Sequence, residues 1–228
     1  MRKTLILVAF AAILGAAPIS DWFIGNTLAS GVWTSQASGG TIVQSNGGVT
    51  LSAPAGTTHD APAGAVRISQ TIANGDFALI TKVSTIPPSA GSSSYYAAVL
   101  YAYQDGNNSV DIAYYGADGA YGCKLEKVVT GTHTTIVSSA RSGDTFPIWL
   151  ELTRATDTWI GKFSFNGTSW TTIGSGSQTF TIAGVSIYSD NWDITSANTL
   201  AYAPTFSFFR NAAADKCVPP VNVRPVLF

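Results

Sequence analysis

The sequence predicts an all-β fold, two antiparallel sheets packed face to face as a jelly-roll sandwich, and three observations carry that expectation. Apolar and polar residues alternate at period two in segment after segment from Trp22 to Arg210, and no window longer than a turn or two holds a helical stripe. Turns rich in Gly, Asn and Asp separate more than ten such segments with no helices between them, which is sandwich spacing and not that of βαβ units. Only 11% of the 228 residues are Asp, Glu, Lys or Arg, whereas Gly, Ser, Thr, Asn, Tyr and Trp abound, a composition of strands, turns and hydroxyl-rich surface. A chain of this length suits one well-buried domain, and no internal repeat of the kind a propeller needs is present.

Taken in order, "GGTIVQSNGGVTLSA" reads as two short strands around Ser45-Asn46-Gly47-Gly48, because Asn-Gly supplies the positive φ of a tight hairpin. "DFALITKVSTI" is a longer strand stopped by Pro87-Pro88. "SYYAAVLYAYQ" and "SVDIAYYG" flank a second hairpin at Asp105-Gly106-Asn107-Asn108, and "CKLEKVV" and "HTTIVSS" follow. In "PIWLELTR" alternation sends Ile148, Leu150 and Leu152 to the core and Trp149, Glu151 and Thr153 to the other face. "TWIGKFSF" groups Trp159, Gly161, Phe163 and Phe165. A two-residue Asn166-Gly167 loop would set Phe163 opposite Trp170, so Trp159, Phe163 and Trp170 are expected to form a packed aromatic ladder.

The termini read differently. Met1-Arg2-Lys3, an apolar run from Thr4 to Leu14 and the small residues Gly15-Ala16-Ala17 read as a secretory signal over residues 1–17, too short for the roughly 20 apolar residues of a membrane span; with Pro18 awkward for processing, an uncleaved, buried N-terminal strand is the alternative. Its removal leaves ten basic against thirteen acidic residues, a charge of −3 in place of −1. That balance offers no basic stripe for nucleic acid and no polybasic segment for anionic lipid. The expected domain is 18–211, followed by a Pro-rich tail at 212–228. In an exported protein Cys123 and Cys217 are candidates for one disulfide tying tail to body, with two free cysteines as the alternative.

Several segments in order, "SDWF", "SGVWTSQASGGTIVQSNGGVTLSAPAGTTHD", "NGDFALITKVS", "YYAAVLYAYQDGNNSVDIAYYG", "PIWLELTRATDTWIGKFSFNGTSWTTIGS", "VSIYSDNW" and "FSFFRN", resemble the concanavalin A-like lectin/glucanase sandwiches. The nearest likeness is to the β-sandwich domain at the C-terminus of bacterial β-xylosidases and arabinan-degrading enzymes, and it covers about Ser20 to Asn211. The resemblance implies a convex and a concave sheet, with ligands on the concave face or its rim loops. One departure is Phe206-Ser207-Phe208-Phe209-Arg210, where such domains commonly read Phe-Asp-Tyr-Phe-Arg.

The residues argue against catalysis by the routes this fold usually supports. Retaining glucanases need two carboxylates flanking one glycosidic bond, usually from a Glu-x-Asp-x-Glu or Glu-x-Asp-x-x-Glu strand. Here the two glutamates, Glu126 and Glu151, head no such motif. Lyases of similar fold need a Tyr and a His or Gln beside an Arg, and neither His59 nor His133 lies in such a strand. No Gly-x-Ser-x-Gly elbow is present. His59-Asp60 and Asp190-Asn191 lack zinc-ligand spacing; the hard oxygens of rim Asp and Asn leave a structural calcium ion as the cofactor the sequence allows, with turn hydrogen bonding as the simpler role for those side chains.

Binding remains. A sugar site needs rings that face solvent beside short polar groups. Tyr95, Ala97, Val99, Tyr101 and Tyr103 share one strand face; with Asp111, Trp149 and Glu151 they form the candidate concave surface, and Tyr188 and Trp192 in "IYSDNW" are candidates for its rim. Core tyrosines with satisfied hydroxyls are the simpler alternative. The function expected is a non-catalytic glycan-binding or surface-docking domain of a secreted or cell-surface protein, its partner a polysaccharide or glycan surface. The alternatives are a structural or assembly protein of a virion or cell surface, self-associating through the tail, and a polysaccharide hydrolase or lyase with an unfamiliar site.

Overall fold

The computed structural model describes residues 16–59, 64–89, 93–141 and 144–214. Within them, fourteen strands follow one another: β1 (Thr34–Gln36), β2 (Thr41–Ser45), β3 (Gly48–Ser52), β4 (Val66–Thr71), β5 (Phe77–Val83), β6 (Ser94–Asp105), β7 (Asn108–Ala117), β8 (Ala120–Val129), β9 (Thr132–Arg141), β10 (Ile148–Ala155), β11 (Thr158–Ser164), β12 (Thr171–Ser177), β13 (Gly184–Asp193) and β14 (Thr205–Asn211). They form two seven-stranded sheets, β1-β4-β13-β6-β7-β8-β9 and β12-β11-β10-β5-β14-β3-β2, all of whose recorded pairings are antiparallel. This is the expected sandwich. Among the described residues no helix is long and apolar enough to cross a membrane.

Period-two alternation sends one set of side chains from each sheet into a shared core. The first sheet contributes Val66, Ile68, Tyr96, Leu100, Val110, Ile112, Leu125, Val185 and Ile187; the second contributes Val49, Leu51, Leu79, Val83, Ile148, Leu150, Leu152, Trp159 and Phe206, and every one of these is 0% exposed. Both expected hairpins form: Asn46-Gly47 joins β2 to β3 with Gly47 at φ +94°, and Gly106-Asn107 joins β6 to β7. In β14 the pairing with β5 shifts between Phe206 and Phe209, and this irregularity lets two phenylalanines three positions apart both point inward, fully buried. Simple alternation would have put Phe208 beside Phe206. Phe208 instead packs on Trp22, their ring centroids 5.2 Å apart.

The aromatic ladder is realised in part. Trp159 and Phe163 are core residues, Trp159 lying between Phe77 and Phe180 and donating its Nε1–H to the Gln178 carbonyl at 2.9 Å. Trp170 is not their partner. Residues 165–170 form a loop longer than the two residues expected, because the Asn166 Oδ1 accepts from the backbone N–H groups of Thr168 and Ser169 and holds a wider turn. Thr171 therefore faces Phe163, and Trp170 is left half-buried outside the strand.

The segment expected to be a signal lies mostly outside the described residues. From Ala16 onward the chain is tied to the body: the Ala16 carbonyl accepts from the Ala73 N–H, and the Gln70 side chain bonds both the N–H and the carbonyl of Ile19. Cys123 is 0% exposed in the core, whereas its candidate partner Cys217 and the tail from residue 215 lie outside the described residues.

Candidate functional site

The outer face of the first sheet carries a second, smaller apolar layer: Ala65, Ala97, Val99, Tyr101, Ala113 and Tyr188, flanked by Tyr95, Tyr103 and Tyr115. At one end of that layer a recess of roughly 210 Å³ opens, lined by Tyr95, Asp111, Lys124, Glu126, His133, Tyr188, Asp190 and Trp192. Strand register explains why these residues meet. Trp192, Asp190 and Tyr188 on β13 lie opposite Tyr95, Ala97 and Val99 on β6; Ala113 and Asp111 on β7 lie opposite Lys124 and Glu126 on β8. Ala97 and Ala113 are too small to fill the space between rings and long charged chains, so the face dips there.

The rim strand is pinned from behind. Asn191, fully buried, donates Nδ2–H to the carbonyls of Pro54 and Leu200 and accepts at Oδ1 from the His59 backbone N–H at 2.9 Å. The neighbouring Asp190 and Trp192 consequently face the recess. His59 is 1% exposed, and its Nδ1 lies 2.9 Å from the Thr57 carbonyl oxygen, so the His59 and Asn191 of the two sequence pairs meet in a structural clamp. Among the described residues no group of three or more His, Cys, Asp or Glu side chains could hold a metal ion.

The charges in the recess are ordered. Glu126 is gripped on both oxygens, by Lys124 Nζ at 2.8 Å and by His133 Nδ1 at 2.9 Å. Burial alone would raise its pKa, but the His133 hydrogen bond and the Lys124 ammonium outweigh it and hold Glu126 ionised well below the usual range. Asp111 is 4% exposed; burial, reinforced by the neighbouring Glu126 charge, pushes its carboxyl up to about 7. For Lys124 burial works downward, yet Tyr95, Asp111 and Glu126 together raise it; the ammonium sits 4.4 Å above the Tyr95 ring. Hydrogen bonding to Glu126 raises His133, whose ring stands at the exposed edge.

The sequence-derived candidates are divided between two faces. Asp111, Tyr188 and Trp192 line the recess. Tyr101 adjoins it, but at 2% exposure it supports the surface and offers no stacking face; Tyr188 at 3% presents little more than an edge. Tyr103, half-buried, stacks on Tyr101 at 5.2 Å and lines a separate groove. Trp149 and Glu151 do not join them. They sit on the outer face of the second sheet, because Ile148, Leu150 and Leu152 take the inner face of β10. There Glu151 pairs with Lys162 Nζ at 2.7 Å, and Lys82 Nζ lies 5.1 Å from the centre of the Trp149 ring. Lys124, Glu126, His133 and Asp190, which also line the recess, are not among the binding candidates the sequence offers. Their signal was the alternation of "CKLEKVV", which puts Lys124 and Glu126 on the polar face of a strand whose other face is core.

No protein-family model and no curated protein matches the sequence. Solved structures do match in shape. The GH43 BlXynB protein from Bacillus licheniformis is similar with a TM-score of 0.64 and 15% identity, over 84% of this chain and 38% of that one. A Bacteroides ovatus protein described as xyloglucan PUL GH43B gives 0.59 and 16%, over 86% and 39%. The CBM2 module of the evolved Dit of Lactobacillus casei BL23 phage J-1 gives 0.52 and 12%, over 84% of this chain and 94% of that module. The chain thus spans well under half the length of the GH43 proteins. At these identities the likeness concerns the fold: this is a concanavalin A-like β-sandwich, of the kind found within GH43 chains.

Proposed function

We propose that the protein is a non-catalytic glycan-binding domain, and that its ligand occupies the recess walled by Trp192, Tyr95 and Tyr188. The observation that carries this reading is the convergence of half-buried Trp192 and Tyr95 with Asp111, Glu126, Lys124 and Asp190. Rings stack on sugar C–H faces while carboxylates and an ammonium meet hydroxyls, and the ion pairs that fix Glu126 and Lys124 pre-organise those contacts. The names of the similar structures support a glycan ligand, since they include a xylan β-1,4-xylosidase from Bacillus halodurans and a phage module called CBM2. The N-terminal charged and apolar run favours a secreted or cell-surface location. Titration calorimetry with neutral xylo-, arabino- and gluco-oligosaccharides tests the reading: binding by the wild type that Trp192→Ala abolishes supports it, and silence across the panel at millimolar ligand overturns it.

A second reading has one observation in its favour. Asp111 is pushed up to about 7 while its cross-strand neighbour Glu126 is held ionised, the kind of division found between a general acid and a nucleophile in a glycoside hydrolase. Against it, both Glu126 oxygens are engaged by Lys124 and His133. Release of reducing ends from polysaccharide by the wild type, lost in Asp111→Asn, would establish hydrolysis. Ordered self-association without glycan binding would favour the assembly role.

A further inference from the structure

On the same outer face, beyond the tyrosine layer, lies a second groove of roughly 290 Å³ lined by Thr34, Ser35, Gln36, Arg67, Ser69, Thr71 and Tyr103. Its chemistry is the reverse of the recess. Hydroxyl and amide groups surround one guanidinium, and among the described residues no carboxylate pairs with Arg67. The contact that orients it is the Tyr103 ring, 5.9 Å from Arg67 Cζ to the centroid, which leaves the planar fork of N–H donors for another partner. One cross-strand pair connects the groove with the recess: Arg67 on β4 is in register with Tyr188 on β13, and Tyr188 lines the recess. Trp192 is four residues further along β13, about 13 Å away at ~3.3 Å per residue.

We infer that the groove around Arg67 is a subsite for the carboxylate of a uronic acid unit, in an oligosaccharide whose neutral part occupies the recess. This rests on the glycan-binding reading above. A carboxylate matches the guanidinium fork with two parallel hydrogen bonds, and Thr71 on the same strand as Arg67 supplies a hydroxyl for the ring. The recess is a poorer place for that carboxylate, because its ammonium, Lys124, is already paired with Glu126 and Asp190 adds a further carboxylate there. One face therefore sorts an acidic unit to one end and neutral units to the other.

The test compares neutral xylo-, arabino- and gluco-oligosaccharides with counterparts carrying one glucuronic acid, by titration calorimetry at low salt. The wild type is expected to bind the uronate member of its preferred pair about tenfold more tightly, as one charge-assisted hydrogen bond allows. Arg67→Gln removes that preference, so that both members bind alike; Arg67→Lys restores part of it, which separates charge recognition from loss of fold. Equal binding of both members by the wild type, a preference that survives Arg67→Gln, or a preference for a sulfated counterpart over the uronate overturns the subsite while leaving the recess intact. Failure to bind any neutral oligosaccharide overturns the recess reading as well.

Discussion

Asp111 on β7 and Glu126 on β8 face each other at one cross-strand position, yet their carboxyl groups are shifted in opposite directions. Glu126 has the Lys124 ammonium on one oxygen and the His133 imidazole on the other. Asp111 has burial and a negative neighbour.

This arrangement sets the pH dependence of stability. Asp111 has a folded pKa of about 7, above its unfolded value near roughly 3.9, so the native state holds the extra proton between those limits. Its contribution is fully present below the unfolded pKa and is lost as pH rises through about 7. Glu126, depressed, works the other way: its stabilisation is present above the unfolded carboxylate range and is lost as acid titrates it. Thermal melts of Asp111→Asn should therefore lack the wild-type decline between roughly pH 4 and 7, and the variant gains on the wild type as pH rises through that window. Parallel curves would refute the assignment.

Trp159 tests the core. It is 0% exposed between Phe77 and Phe180, so Trp159→Ala should cost about 3–5 kcal/mol in urea unfolding, through lost burial and the cavity left behind. A loss below about 1 kcal/mol would place the ring outside the core.

Gly116 on β7 is required by close packing. A Cβ there would run into the Pro88 carbonyl oxygen, a backbone atom that cannot rotate away. Gly116→Ala should destabilise the fold by about 1–3 kcal/mol, the usual cost of overpacking, measured by denaturant titration. Gly75→Ala, where a Cβ meets nothing within 4 Å, is the matched control and should change little.

The two outer faces are separable. Trp149 and Glu151 lie on β10 in the second sheet, across the core from Trp192. Trp149→Ala should leave oligosaccharide affinity at the recess within about twofold, whereas Trp192→Ala abolishes it, since a stacked ring carries a large share of such a contact. Equal losses from both would mean that the ligand engages the second sheet.

Most of the fold was legible because period-two alternation and Asn-Gly or Gly-Asn turns report strand faces and hairpins directly. Where a side chain supplied the turn, as Asn166 does, or an irregular pairing broke the period, as between Phe206 and Phe209, the alternation pointed to the wrong neighbour. The site was legible only by strand. Tyr101, Tyr103, Asp111, Tyr188 and Trp192 share a sheet face, but sheet order is a tertiary property, so nothing in "PIWLELTR" could assign Trp149 to the opposite sheet. Glu126 was weighed for a glucanase motif and set aside; its meaning comes from Lys124 and His133, and the latter arrives through the β8–β9 hairpin.

The central claim is that the recess beside Trp192 binds glycan, and the most direct measurement is calorimetric titration of neutral xylo-, arabino- and gluco-oligosaccharides into wild type and Trp192→Ala at matched, verified fold. Saturable binding by the wild type and none by Trp192→Ala is the result expected; no binding by either, or undiminished binding by the variant, would contradict it.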